Sequence, residues 1–345
     1  MASTLNITIP IIQAPMAGVQ DWRLAAAVAS AGALGSLPCG MLSADQVVAE
    51  VAAFRQATSA PLNLNFFCHT MAPLSKVAAL RWQQMLAGYY DELSLQPSEA
   101  GALRMPYDDA MAEVVAELKP DVVSFHFGLP DAGKVDALKS AGVTVLSTAT
   151  TLEEALWLQD HGVDMIIAQG VEAGGHRGMF LSQDLASQQS TRTLLQELQG
   201  RVSAPVIAAG GIGSAADIEQ MLQLGASYVQ LGTAYLLCDE AKTSEVYRQA
   251  LIAETSVTAL TNVFSGRPAR GICNRLMRDL GNINNDVAPY PYASAALAPL
   301  KAAAEAQGRG DFSSMWAGEN RVACRPVGAQ QLTLDLWRDM QALKD

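Results

Sequence analysis

The chain has 345 residues, 50% of them hydrophobic and 17% charged, which suits a large buried core and excludes a disordered polymer. A net charge of -11 argues against nucleic acid and anionic membranes as partners, because an acidic surface repels both. The five cysteines are scattered without a C-x-x-C spacing, a pattern that fits reduced thiols and neither a disulfide framework nor a zinc site. The opening MASTLNITIPIIQAPM lacks the basic start and long apolar run of a signal peptide, and no run is long enough to span a bilayer. A cytoplasmic protein is the expectation.

In chain order, apolar runs at 11–14, 33–37, 62–67, 122–127, 144–147, 165–168, 206–209 and 228–231 predict strands. Amphipathic stretches alternate with them, including 21–31, 44–57, 152–160 and 215–224. Strands apolar along their whole length belong in a parallel sheet covered on both faces. Gly32, Gly162 and Gly225 stand where a helix must turn back toward the sheet, the place of a left-handed cap. Eight such units favour an α/β fold closed as a TIM (β/α)8 barrel over an open doubly wound sheet. The barrel is expected to span 1–255, with a helical insertion at about 70–118 made of stretches 73–93 and 107–118. Residues 256–345 show no strand signal, and 293–307 and 330–344 read as helices of a cap at the barrel mouth.

Polar residues and glycines gather just beyond the apolar runs, where such barrels carry their sites. The first strand runs into Gln13-Ala14-Pro15-Met16-Ala17, the third into Asn65-Phe66-Phe67-Cys68-His69, and the sixth into Gln169 and a loop through Gly178. The seventh ends in Gly210-Gly211-Ile212-Gly213 and the eighth in Gly232-Thr233. Glycine turns after the last two strands let backbone N–H groups approach a phosphate, and Thr233 adds a hydroxyl. The GGIG run alone reads equally as a tight turn. A dinucleotide fingerprint is disfavoured, because no acidic residue ends the next strand.

His176 lies among glycines in a loop with no packing purpose, and its ordinary pKa near neutrality suits a general base. His161 sits at a helix C-terminus, a structural position. His126 reads as pocket-lining or as a buried, partnered side chain, and His69 beside Cys68 does not make a metal site. No metal is expected.

Taken together, Ile12 to Met16, Asn65 to His69, Gln169 to Gly178, Ala208 to Ile212 and Gln230 to Thr233 resemble class I nitronate monooxygenases, formerly 2-nitropropane dioxygenases. The resemblance extends to Ser265-Gly266-Arg267, Tyr290-Pro291 and Trp316-Ala317-Gly318. It implies bound FMN, with Pro15, Met16 and Ala17 near the ring and Asn65, Gln169 and Gly174 at its polar edge. It further implies Gly211, Gln230, Leu231, Gly232 and Thr233 at ribityl and phosphate, His176 as catalytic base, and Tyr107, His126 and Tyr290 in the substrate pocket. The implied reaction oxidises alkyl nitronates with O2 to carbonyl compounds and nitrite, a neutral nitroalkane first losing its α-proton to His176. An FMN-dependent NAD(P)H:quinone or enoyl reductase is the alternative, separated by whether NADH or NADPH reduces the flavin. Small-molecule substrate and O2 are the implied partners, and a homodimer is left open. In the family pattern a tyrosine follows four residues after Tyr290 and a lysine eight after it, where this chain has Ser294 and Ala298. Tyr292 and Lys301 are nearby but read as out of helical phase, so the pattern implies a larger or less charged substrate.

Overall fold

The computed structural model describes residues 5–71, 73–97 and 103–343. Its strands are β1 (Ile11–Gln13), β2 (Gly35–Pro38), β3 (Leu62–Phe67), β4 (Val122–His126), β5 (Thr144–Ala149), β6 (Met165–Gln169), β7 (Gly175–His176), β8 (Val206–Ala209), β9 (Tyr228–Leu231), β10 (Thr258–Thr261) and β11 (Ala269–Ile272). Eight of them form one parallel sheet in the order β1-β9-β8-β6-β5-β4-β3-β2. A parallel bridge between Ile12 and Leu34 joins its two ends and closes the barrel. The eight expected strands are therefore all present, within one or two residues of their expected bounds. Closure leaves no open crevice between sheet halves, so the dinucleotide-type reading of the glycines falls away.

Ile12, Leu34, Val122, Leu146, Ile167 and Ile207 fill the barrel interior, while a larger apolar layer seals the sheet against its helices. Each ring helix turns back through a local device. Gly32, Gly162 and Gly225 adopt φ of +93°, +88° and +95°, the left-handed caps anticipated from their positions. His161 closes its helix by stacking on Trp157 at 3.7 Å, with Nδ1 at 2.7 Å from the Trp157 carbonyl.

The insertion and the tail do not act as one unit. Helix Lys76–Glu92 packs Trp82, Leu86 and Tyr90 against Val263, Phe264, Leu276, Leu297 and Phe312 of the later segment, forming the cap core. Helix Asp109–Leu118 instead buries Val115 in the barrel layer and lies against ring helices Ala44–Ala57 and Ala132–Ser140. At the far end, helix Ala329–Gln341 buries Leu332, Leu336 and Met340 in the barrel core, between helices Trp22–Ser30 and Ala215–Gln223. It is the eighth ring helix, not part of the mouth, and burying three such side chains contributes on the order of 5 kcal/mol. The expectation of a purely helical cap over 256–345 is corrected in a second way. Residues β10 and β11 form a hairpin that pairs antiparallel with β7, setting Ala269 opposite His176. Among the described residues no helix is long and apolar enough to cross a membrane.

Candidate active site

A cavity of about 320 Å³ opens at the C-terminal ends of the barrel strands. Pro15, Met16, Ala17, Asn65, Gln169, Gly174, Gly211, Gln230, Leu231, Gly232, Thr233, His126 and His176 all line it. Two amides the sequence reading passed over shape its first loop. Buried Gln13 takes the Ser36 N–H at 3.0 Å and donates to Gln20 Oε1 at 2.7 Å, which also accepts from Met16 N at 2.8 Å. That chain of bonds holds the Pro15–Ala17 turn against β2 and would be destroyed by an apolar residue at either place.

On the side of β8 and β9 the wall is mostly backbone. Gly210 and Gly211 take φ of +118° and +70°, conformations that side chains rarely tolerate. None of the hydrogen bonds among the described residues engages the N–H of Gly211, Gly232 or Thr233. The Thr233 hydroxyl accepts from Gly318 N at 2.9 Å and so keeps its own proton to give. Gln230 Oε1 is buried without a partner. A Cβ at Gly174 would stand 2.5 Å from Gly318 N, so the tail presses directly on this turn. Asn320, also from the tail, donates to Gly211 O at 3.0 Å and to Asp217 at 2.9 Å. Asp217 in turn accepts from Gly213 N at 3.0 Å, so part of the helix N-terminus expected to face an anion is already capped.

His176 is positioned from three directions. Gln169 donates through Nε2 to His176 O at 3.0 Å and accepts from Gly178 N at 2.8 Å, pinning both ends of the loop. These bonds use one N–H and one acceptor position of the Gln169 amide, which also lines the cavity. Arg177 is fully buried and donates to Gly170 O at 2.6 Å and Gln169 O at 2.7 Å, closing the loop. Its neighbour Glu172 accepts from Thr191 N at 2.9 Å, so the two do not pair with each other. Finally, Nε2 of His176 lies 2.9 Å from Ser265 Oγ, and Ser265 donates to Arg267 O at 3.2 Å. A serine has one proton, so that donation makes it the acceptor for His176 Nε2–H and leaves Nδ1 unprotonated.

The opposite wall is made of side chains. Around His176 stand Tyr290 at 5.5 Å, Trp316 at 5.4 Å and Phe127 at 6.1 Å, centroid to centroid. Phe127 leaves β4 with φ +70°, a strained state for a bulky residue, and its ring lies under the Arg267 guanidinium at 4.0 Å. His126 does both things left open for it: it lines the cavity, and its nitrogens meet Thr148 Oγ1 and His176 O, each at 3.1 Å. Burial holds His126 down to about 3 and His69 to about 4. Burial also keeps His176 well below the usual imidazole range, with the Arg104 charge the next cause, so this base stays neutral.

Tyr290, expected in the substrate pocket, packs against His176 and His69 behind the cavity lining and is not itself among the lining residues; its hydroxyl is buried without a partner among the described residues. Tyr107 is misplaced by the sequence reading. It packs on Phe66 at 4.9 Å and Phe125 at 5.3 Å within the barrel's outer core and does not line the cavity. The charge reading is corrected as well. Ala298 is exposed, but Arg104 and Lys301 both line the cavity. Lys301 is seven residues, two helical turns, past Ser294 and so shares its face after all. Arg104 left no sequence signal, since its partner Ser294 is 190 residues away.

A closed (β/α)8 barrel with a glycine rim on one side of its mouth and a neutral, triply tethered imidazole on the other defines a barrel enzyme with its site at the C-terminal strand ends. A family model described as nitronate monooxygenase matches residues 1–339. A nitronate monooxygenase of Paraburkholderia phytofirmans is 40% identical over 98% of this chain and 93% of its own. One of Pseudomonas aeruginosa is 39% identical, over 98% and 97%. The solved nitroalkane oxidase of Streptomyces ansochromogenes superposes with a TM-score of 0.91 at 36% identity, covering 99% of both chains. FabK of Thermotoga maritima, at 24% identity and a TM-score of 0.71, shares the fold alone. The chain belongs to the nitronate monooxygenase family, a family of oxidoreductases.

Proposed function

We propose that this protein is an FMN-dependent nitronate monooxygenase, oxidising alkyl nitronates with O2 to carbonyl compounds and nitrite in the cytoplasm, and accepting nitroalkanes through His176. The observation that carries the reading is one cavity with unengaged backbone donors at Gly211, Gly232 and Thr233 on one side and the neutral His176 ring on the other. The donor set fits FMN. Free N–H groups and the Thr233 proton suit a phosphate, and the orphaned Gln230 Oε1 suits a ribityl hydroxyl. Pro15, Met16 and Ala17 would border the ring system, with Asn65, Gln169 and Gly174 at its polar edge and Leu231 beside the ribityl chain. When bound, FMN supplies the electron transfer to oxygen that no side chain here can perform.

The chain's own part is to bind, orient and move one proton. Ser265 fixes the tautomer, so Nδ1 of His176 takes the α-proton of a neutral nitroalkane. A nitronate has already lost that proton and needs His176 only as a neighbour. His126 borders the substrate, Tyr290 backs His176, and the cap core over the mouth limits water. The test is direct: purified protein should show a flavin spectrum, release FMN on denaturation, and form nitrite from ethyl nitronate only when O2 is present. A colourless protein that does not take up FMN would overturn the reading. Rapid anaerobic bleaching by NADH or NADPH without nitronate turnover would favour a reductase.

A further inference from the structure

Resting on nitronate oxidation at this cavity, we propose that Arg104, oriented by Ser294, is the residue that binds the anionic group of the substrate. Most cations of this acidic chain are already matched to acids. Arg270 pairs with Glu319 at 3.0 Å, Arg275 with Glu92 at 2.8 Å, and Arg325 with Asp335 at 3.0 Å. The other cations lining the cavity are paired with acids: Lys242 with Asp21 at 2.8 Å and Lys301 with Glu305 at 4.0 Å, while Arg267, behind the lining, lies on the Phe127 ring and donates to Met179 O at 2.8 Å. Arg104 differs. Its one polar partner among the described residues is neutral: Nη1 donates to Ser294 Oγ at 3.0 Å.

That bond has a direction. Ser294 Oγ spends its own proton on Pro291 O at 3.1 Å, which leaves its lone pairs for the guanidinium. The arginine is thus held against the cavity wall with most of its five N–H donors unspent. Its charge is felt at the reacting side, since it depresses the basicity of His176 and lowers that of the Tyr290 hydroxyl against the effect of burial. A half-buried guanidinium with no counter-ion among the described residues gains most from a planar group with two oxygens, met by paired N–H bonds. A nitronate and a carboxylate both present that shape.

The experiment uses the flavin-loaded enzyme, ethyl nitronate as substrate and propionate as an unreactive anion. R104M is expected to raise KM for ethyl nitronate by about tenfold or more, with kcat moving far less, as loss of a charged contact made equally in ground and transition states requires. Calorimetry should show propionate binding weakened by a similar factor. R104K should recover part of both, S294A should raise KM about threefold, and S294T should restore it, which separates orientation from simple loss of packing. Flavin content and melting temperature report folding in each variant. Unchanged KM and unchanged propionate affinity in folded R104M would overturn the inference while leaving nitronate oxidation intact. Weakened propionate binding in R104M, alongside a wild-type enzyme inert toward nitronates, would uphold Arg104 as an anion site and sink the proposed activity instead.

Discussion

The two walls of the cavity are built by opposite means. Toward β8 and β9 the surface is main chain: left-handed Gly210 and Gly211, the Gly232–Thr233 turn, and a Gly174 pressed by Gly318. Toward the cap it is side chain: His126, His176, Trp316 and Arg104, drawn from segments far apart in the chain. Main-chain donors cannot be altered without changing the fold, so that wall suits a resident group that must always be held the same way. Side chains are replaced one at a time, so the cap wall is where substrate preference can drift within a family.

Breaking the main-chain wall should have the largest effect. Gly174→Val puts a branched side chain where even a Cβ stands 2.5 Å from Gly318 N, and the variant should purify without flavin and without activity. Full flavin content in that variant would refute the idea that this turn is spatially closed. Next in size is His176→Asn. It should keep the flavin spectrum while kcat/KM for nitroethane drops by about 100-fold or more, and ethyl nitronate, already deprotonated, should lose much less. Equal losses on both substrates would mean the imidazole does something other than remove a proton.

The smallest effect is a slope in pH. His69, His126 and His176 are all held neutral in the folded state, at about 4, about 3 and well below the usual range, against about 6.5 when unfolded. The unfolded chain therefore binds protons first as pH falls. Their contribution is fully present above about 6.5 and is lost as pH drops from there toward about 3, at up to about 1.4 kcal/mol per pH unit for each histidine. Melting temperature should decline across pH 6.5 to 4.5, and His69→Asn should flatten that decline. A variant as acid-sensitive as the wild type would show that His69 is already protonated in the folded protein.

The barrel was readable because its signals are local: a continuous apolar run recurs eight times, and glycines such as Gly32, Gly162 and Gly225 cap several of the helices between. The glycine turns after β8 and β9 were readable for the same reason. What escaped was long-range or short. β7 is two residues, Gly175 and His176, and β11 carries Arg270 and Gly271 inside a strand, so neither has an apolar pattern to detect. Gln169 reads as a ligand donor at a strand end, and only the folded loop shows that its amide also pins His176 O and Gly178 N. Tyr107 lies next to a site-bearing strand, yet its aromatic neighbours Phe66 and Phe125 draw it to the barrel's outer face. The apparent loss of positive charge at Ala298 was offset from a different part of the chain, which a motif comparison confined to the tail does not see.

The placement of helix Ala329–Gln341 in the ring has a further consequence. The hairpin, Tyr290 and Trp316 all lie between the eighth barrel strand and the helix that should follow it, so they are a long loop of the barrel and not an attachment to it. During synthesis this last staple emerges after everything that surrounds His176. The ring is therefore completed only once the residues of the cap wall have been made, and a ribosome-bound fragment ending near residue 255 would have all eight barrel strands and still gape along the helix seam beside β1.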